Sequence, residues 1–322
     1  MHPFTREFAA SVAAVGEEKL IRSLRRWLGA ASPRAPFGIG DDCAVLPARR
    51  GRRLVTVDPL VYGRHFDDAV APRAAGANLL KRNLSDLPAM GGRPTAAVLS
   101  LALEARVSRR WLELFYRGLA ACARRHRVAV VGGDVAQVDR GLVASRTLLG
   151  VPAGPRILTR TGARAGDAIY VTGVLGGSRR SGHHAAFPPR LEEGAWLARR
   201  AAVRAMMDVS DGLAKDLRSL TPRGLAPALR AAALPRRKGS GLRAALTDGE
   251  DYELVFALAA RAAPAAFERA WHRKFPRVPL TRIGTFVARS RLPAGAVDLG
   301  RFHGYEHLAP VRRRSRRRSP GR

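Results

Sequence analysis

Lysine, cysteine and acidic residues are all scarce in this chain of 322 residues. Only Lys19, Lys81, Lys215, Lys238 and Lys274 are lysine, so 52 of the 57 basic residues are arginine, against 26 Asp+Glu and a formal balance of +31. Two cysteines, Cys43 and Cys122, leave no room for a disulfide framework or a multi-cysteine metal site. No apolar run reaches the roughly 18 residues that a membrane-spanning helix needs. Met1 to Glu7 has no charged stretch leading into an apolar core, so a secretory signal is not expected, and the reading is a cytoplasmic protein with no membrane partner. A Gly-x-x-x-x-Gly-Lys-Ser/Thr loop is missing, which excludes a standard P-loop. There is no internal repeat of 20–50 residues.

Hydrophobic residues make up 46% of the chain, enough to bury proper cores despite the charge, and the length suits two domains. The arginines are dispersed through every segment, as on a solvated surface. One cluster is compact: Arg312 to Arg322 holds seven Arg in eleven residues without apolar periodicity. It reads as a disordered tail able to touch polyanions.

Strand-like and helix-like segments alternate. Leu20, Ile21, Leu24 and Leu28 give a helix over Glu17–Leu28, and Leu80, Leu84 and Leu87 another over Pro72–Leu87, ended by Pro88. Ser108 caps a third, whose Trp111, Phe115, Leu119 and Cys122 form one stripe. Strands are predicted at Leu54–Asp58, Ala96–Leu103, Val128–Val131 and Leu142–Val151. After the Pro/Gly-rich Val151–Pro155 come strands at Ala168–Val171, Glu253–Leu258 and Arg282–Val287, a helix from Leu191 and a strand-to-helix junction over Met206–Leu220. The expected fold is α/β with mixed sheets, divided into 1–150, 151–311 and the tail 312–322.

In so basic a chain the positions of the acids are informative. Asp41 and Asp42 follow Gly38-Ile39-Gly40, Asp58 and Asp208 sit at strand ends, Asp134 follows Gly132-Gly133, and Asp211 precedes Gly212. Ligands collect at strand termini, and hard cations such as Mg²⁺ take carboxylate oxygens. Each also has a structural reading: Asp beside Gly is turn chemistry, and Asp211 suits a helix N-terminus. Asp86 is harder to dismiss, because a carboxylate near a helix C-terminus opposes the helix dipole unless a cation or solvent compensates. Gly132-Gly133 can approach a phosphate closely, and Ser210 stands at a helix N-terminus. Together these suggest a metal–nucleotide site without a Walker lysine. His65 suits a phosphate or polar group and equally a structural role. His183-His184 point apart, and Cys43 is a small packed thiol with no nucleophile's partner.

The ordered set of motifs resembles the thiamine-monophosphate kinases, within the superfamily of aminoimidazole-ribonucleotide synthetases. The resemblance runs through Gly38–Leu46, Val61–Phe66, Asn83–Gly91, Gly132–Asp134, Leu158–Gly162, Asp208–Leu213, Gly249–Leu254 and Gly304–His307. It implies a two-domain subunit that pairs through its N-terminal half, the interface helping to form the nucleotide site. It also implies ATP-dependent phosphorylation of thiamine monophosphate to thiamine diphosphate with several Mg²⁺ ions. Carried over, Asp42, Asp58, Asp86, Asp134, Asp208 and Asp211 hold the metals, with Thr56 and the backbone carbonyl of Val57. Gly133, Asp134, Arg160 and Ser210 contact ATP; His65, Glu250 and Tyr305 contact thiamine monophosphate. No side-chain nucleophile or base is implied, since the acceptor phosphate is already ionised.

The chain departs from the family pattern at Val57, where Thr is usual, at Val135, again in place of Thr, and at Asp248, in place of Gly. The 176–208 stretch, which helps shape the acceptor pocket, is also shortened. Two rival readings remain: another ATP-dependent enzyme of the superfamily acting on a different acceptor, or a non-catalytic basic polyanion-binding protein on this fold. A selenophosphate synthetase would carry a reactive Cys or selenocysteine before Asp41-Asp42. A hydrogenase-maturation protein would end in Cys, whereas Arg322 stands last.

Overall fold

The structure, a computed structural model, describes residues 1–34, 37, 39, 46 and 51–306. Asp41, Asp42, Cys43, His307 and the tail at 312–322 therefore lie outside the described residues. Helix α1 (Glu17–Leu28) buries Leu20, Leu24, Trp27 and Leu28 along one stripe. The first sheet follows, from β1 (Leu54–Val61), β2 (Gly92–Glu104), β3 (Ala129–Val138) and β4 (Leu142–Pro152), in the order β1-β4-β2-β3. Only the β2–β3 pair is parallel. Helices α2 (Pro72–Ala89) and α3 (Arg109–Arg125) cover one face of it. At the start of α3 the Ser108 hydroxyl accepts the Trp111 N–H at 3.3 Å, the expected cap. Its Trp111, Phe115 and Leu119 are essentially fully buried, each contributing about 1.5–3 kcal/mol of transfer free energy. A Cβ on Gly76 would lie 1.9 Å from the Phe115 carbonyl oxygen, so only glycine lets α2 pack this closely on α3.

The second sheet is antiparallel throughout: β5 (Ala168–Thr172), β6 (Val203–Val209), β7 (Leu225–Leu229), β8 (Glu253–Leu258) and β9 (Leu280–Ala288), in the order β6-β8-β5-β9-β7. Its central strands are buried on both faces. Ile169, Val171, Val255 and Ala257 pack in one core with α6 (Leu213–Leu220). Tyr170, Leu254 and Phe256 pack in another with Leu197 of α5 (Leu191–Ala198) and Trp271 of α8 (Pro264–Lys274). The short α4 (His183–Ala186) and α7 (Leu242–Thr247) complete the α-helices among the described residues. None of them is long and apolar enough to cross a membrane.

Several expectations need correction. Helix α2 does not stop at Leu87 but runs to Ala89 with Pro88 inside it. Proline forfeits one backbone bond in the last turn, where Met90 N–H to Leu87 O (3.1 Å) and Gly91 N–H to Pro88 O (2.9 Å) close the helix instead. Asp58 is not at a strand end: β1 continues through Pro59 to Val61, which an edge strand tolerates because one side of it needs no ladder donor. Gly132-Gly133-Asp134 likewise lies inside β3, paired with β2. A Cβ on Gly133 would sit 2.1 Å from the Leu99 carbonyl oxygen, so close strand packing by itself demands glycine there. Strand β4 runs one residue past its expected end at Val151, to Pro152.

Candidate active site

Helix α2 packs against both β1 of the first sheet and β6 of the second. That placement brings Asp86 near Asp58, on β1, and Asp208, on β6. Asp58, Asp86 and Asp208 line one cavity of about 400 Å³ with His65, Arg160, Ser210, Asp211, Glu250 and Tyr305. Nine of the residues expected from the sequence thus meet in one space, drawn from segments up to 247 positions apart (305 less 58).

The carboxylates are held under mutual repulsion. Burial first, then the charges of Asp208 and Asp58, push the Asp86 carboxyl up to about 8. Asp208, fully buried, is also raised, by burial and then by Asp58. Hydroxyls steady both: Thr56 Oγ1 donates to Asp86 Oδ2 at 2.5 Å, and Ser85 Oγ donates to Asp208 Oδ2 at 2.8 Å. Among the described residues, no three Asp, Glu, His or Cys side chains are drawn close enough to hold one ion as they stand. The donor set nevertheless suits a hard cation: all oxygen, buried, and destabilised by its own charge.

Thr56 is therefore a support under Asp86. Its alternation partner across the strand, Val57, turns to the other face and is 60% exposed, leaving only a backbone carbonyl to offer. Gly133 and Asp134 do not join the main cavity. They line a separate one of about 80 Å³ with Leu24, Leu28, Leu99 and Tyr116. Asp58 pairs in register with Arg146, and Arg146 with Leu99, which faces Gly133; Asp134 belongs to the neighbouring row, with Ser100 and Ser145. Asp58 and Asp134 consequently point to opposite faces of the sheet, three strand spacings or roughly 14 Å apart. One chain cannot place both on a single ion.

At the other end of the cavity, Glu250 (φ 56°) and Tyr252 (φ 53°) are non-glycine residues in the left-handed region. That conformation costs roughly 1–2 kcal/mol each. It is held by Glu250 N–H to Ser210 O (2.7 Å) and Tyr252 N–H to Val209 O (2.8 Å). Strain of this kind gathers at ligand sites. Glu250 is gripped by Arg82 Nη1 at 3.1 Å and Arg179 Nε at 2.7 Å. His65 Nδ1 accepts the Val61 N–H at 2.9 Å. Asp211 pairs with Lys215 at 2.8 Å, and Lys215 also donates to the Tyr305 carbonyl at 2.6 Å, fastening the 305 segment to α6. The backbone N–H groups of Ser210 and Asp211 are taken by Asp216 Oδ2 at 3.1 and 3.0 Å, so they serve the fold and not an anion. Asp248 accepts the Gly177 N–H at 2.8 Å, which gives that departure a structural use.

Arg82, Arg146, Arg179 and Asp216 escape a reading by motif. Arg82 was within reach of one, lying four residues before Asp86 and so on the same helical face. Arg146 carried no local signal; only the β1–β4 register sets it beside Asp58. Its guanidinium, fully buried, donates to Asn83 Oδ1, and Asn83 Nδ2 donates to Thr56 Oγ1 at 3.3 Å, completing a chain to Asp86. Burial pulls the Arg146 group down to about 9, against the charges of Asp58, Cys122 and Asp86.

Two sheets flanked by helices give this chain the mixed α/β fold of the AIR synthase related proteins. The N-terminal domain of that family matches residues 40–151. The thiamine-monophosphate kinase of Rhodopirellula baltica is 35% identical over 280 residues, which span 81% of this chain and 86% of that protein. The crystal structure of thiamine-monophosphate kinase from Stenotrophomonas maltophilia K279a superposes with a TM-score of 0.70 at 33% identity, covering 83% of this chain and 93% of that one. The structure of AaThiL complexed with AMPPCP and TMP is similar at 27% identity and a TM-score of 0.64, covering 86% and 92%. The chain belongs to the thiamine-monophosphate kinase family, whose members are phosphotransferases.

Proposed function

We propose that this protein phosphorylates thiamine monophosphate to thiamine diphosphate with ATP, by direct in-line transfer, in the cytoplasm. The observation that carries this reading is the single cavity. It combines the expected nucleotide contacts Arg160 and Ser210, the expected acceptor contacts His65, Glu250 and Tyr305, and the carboxylates of Asp58, Asp86 and Asp208. Those three, with Asp211, and with Asp42 and Asp134 supplied where the full site assembles, would hold Mg²⁺. Bound there, Mg²⁺ offsets the repulsion between two polyphosphates and stabilises the charge that develops on transfer. The chain's own part is positioning. Arg160 and Ser210 orient the donor, and Tyr305 offers a ring face to the acceptor. No side chain need remove a proton, because the attacking phosphate oxygen is already ionised.

The active form is a homodimer paired through the first sheet. Its outward rows are Val57, Thr147 and Val98; Pro59, Ser145 and Ser100; and Val61, Val143 and Ala102. None is charged, in a chain where 26% of residues are, and Val55 and Val57 stand 63% and 60% exposed. Asp134 projects from this same face, so pairing brings it toward a second chain. The Arg-rich tail at 312–322 adds non-specific polyanion contact.

The test is ADP release by purified protein with Mg²⁺ and ATP, comparing thiamine monophosphate with thiamine and aminoimidazole precursors. Thiamine monophosphate should be preferred, and Asp58→Asn should lower turnover at least ~10²-fold, about 2.7 kcal/mol of transition-state stabilisation. Equal turnover on all acceptors, or a near-normal Asp58→Asn variant, would sink the reading.

A further inference from the structure

Arg82 occupies the junction of the two halves of the cavity. It rises from α2 one turn before Asp86, and its Nη1 reaches Glu250 Oε1 at 3.1 Å. The guanidinium carbon lies 6.0 Å from the centre of the Tyr252 ring. Its side chain is 13% exposed, and its Nε is buried without a hydrogen-bond partner. An arginine in this state has donor capacity that the protein leaves unused, in a cavity that the proposed function fills with phosphate groups. Burial disfavours its charge, yet Tyr252, Asp58, Glu250 and Asp86 outweigh that and hold the group above its ordinary value. It stays a cation.

Arg179 differs. Its side chain is 58% exposed, and two of its three nitrogens are engaged by protein: Nε by Glu250 Oε2 at 2.7 Å and Nη2 by the Arg64 carbonyl at 2.9 Å. It thus ties Glu250 to the turn that carries His65, from within the shortened stretch.

Resting on the function proposed above, we propose that Arg82 is the specificity-determining contact for the acceptor's phosphate group, while Arg179 is a positioning residue that fixes Glu250 and the His65 turn. Arg82 stands between the carboxylates expected to hold cations and the acceptor-side Glu250. The acceptor's phosphate must bridge that gap to reach the donor. A planar guanidinium offers it paired donors and a charge that an unphosphorylated alcohol cannot use. Selection for a phosphorylated acceptor then comes from the protein as well as from any bound cation.

The experiment is calorimetric titration without ATP, with thiamine monophosphate and thiamine as ligands, on the wild-type protein and the variants Arg82→Met, Arg82→Lys, Arg179→Ala and Arg179→Lys. Arg82→Met should weaken thiamine monophosphate at least ~10-fold and thiamine less than about twofold. Arg82→Lys, which keeps the charge and loses the fork, should fall between, and it carries the comparison if the methionine variant does not fold. Arg179→Ala should weaken both ligands alike, with partial rescue by Arg179→Lys. Equal loss of both ligands in the Arg82 variants, or no loss, overturns the assignment. If the wild type binds neither ligand, it is the proposed acceptor that fails. Thermal protection by pyrophosphate then decides Arg82 separately: protection lost in Arg82→Met upholds an anion contact, and unchanged protection overturns it.

Discussion

Replacing Asp86 by Asn tests how the carboxylate cluster works. The substitution keeps the side chain's shape and leaves an oxygen to accept the Thr56 hydroxyl, so it removes charge and little else. In the unfolded chain this carboxyl titrates near 3.8, and in the fold near 8. Below pH 4 both states are protonated and the group costs nothing. As pH rises from 4 to 8 the unfolded state ionises first, so native stability falls across that window. At about 1.36 kcal/mol per pH unit the ceiling is ~6 kcal/mol, and an open cavity with an effective dielectric nearer 20 than 4 should leave ~2–3 kcal/mol. Asp86→Asn should therefore match the wild type in urea denaturation at pH 4–5 with EDTA, and exceed it by that amount at pH 8–9. Adding Mg²⁺ should stabilise the wild type and do much less for the variant. Turnover should fall at least ~10²-fold in the more stable protein. If the variant gained nothing at pH 8–9, repulsion at Asp86 would not be real. If Mg²⁺ stabilised both proteins equally, Asp86 would not be a metal position.

Three further outcomes are expected. Arg146→Ala should cost roughly 3–5 kcal/mol in urea denaturation, since it strips the buried Asn83 Oδ1 of its partner and leaves a void, and Arg146→Met, which fills the void, should cost clearly less; equal costs would mean that the lost polar partner, and not the volume, matters there. Val57→Arg, placing a charge among the uncharged outward rows of β1, β4 and β2, should shift sedimentation from dimer toward monomer at micromolar concentration, and an unchanged profile would place the interface elsewhere. Deleting Arg312 to Arg322 should flatten the salt dependence of nucleic-acid retention, by a log–log slope of up to about 5–6 if all seven Arg meet phosphates, with turnover within about twofold; lost activity would show that the tail reaches the site or the interface.

The local parts were legible in the sequence. Periodicity located α1 and the stripe of α3, the Ser108 cap marked a start, and an acid pattern inside an arginine-rich chain picked out Asp58, Asp86, Asp208 and Asp211. Those signals are legible because capping, amphipathicity and charge scarcity act over a few residues. Strand β7 and helices α7 and α8 had weak patterns of their own and owe their form to packing. Tertiary structure alone decided the rest. Only the β1–β4 register sets Arg146 behind Asp58, and only the passage of α2 between two sheets gathers three carboxylates and lets Arg82 meet Glu250. Strand alternation, invisible until pairing is known, turns Asp134 to the face away from Asp58. Each of these depends on contacts between residues far apart in the chain, whose energies are fixed by the folded arrangement and not by any local run of residues.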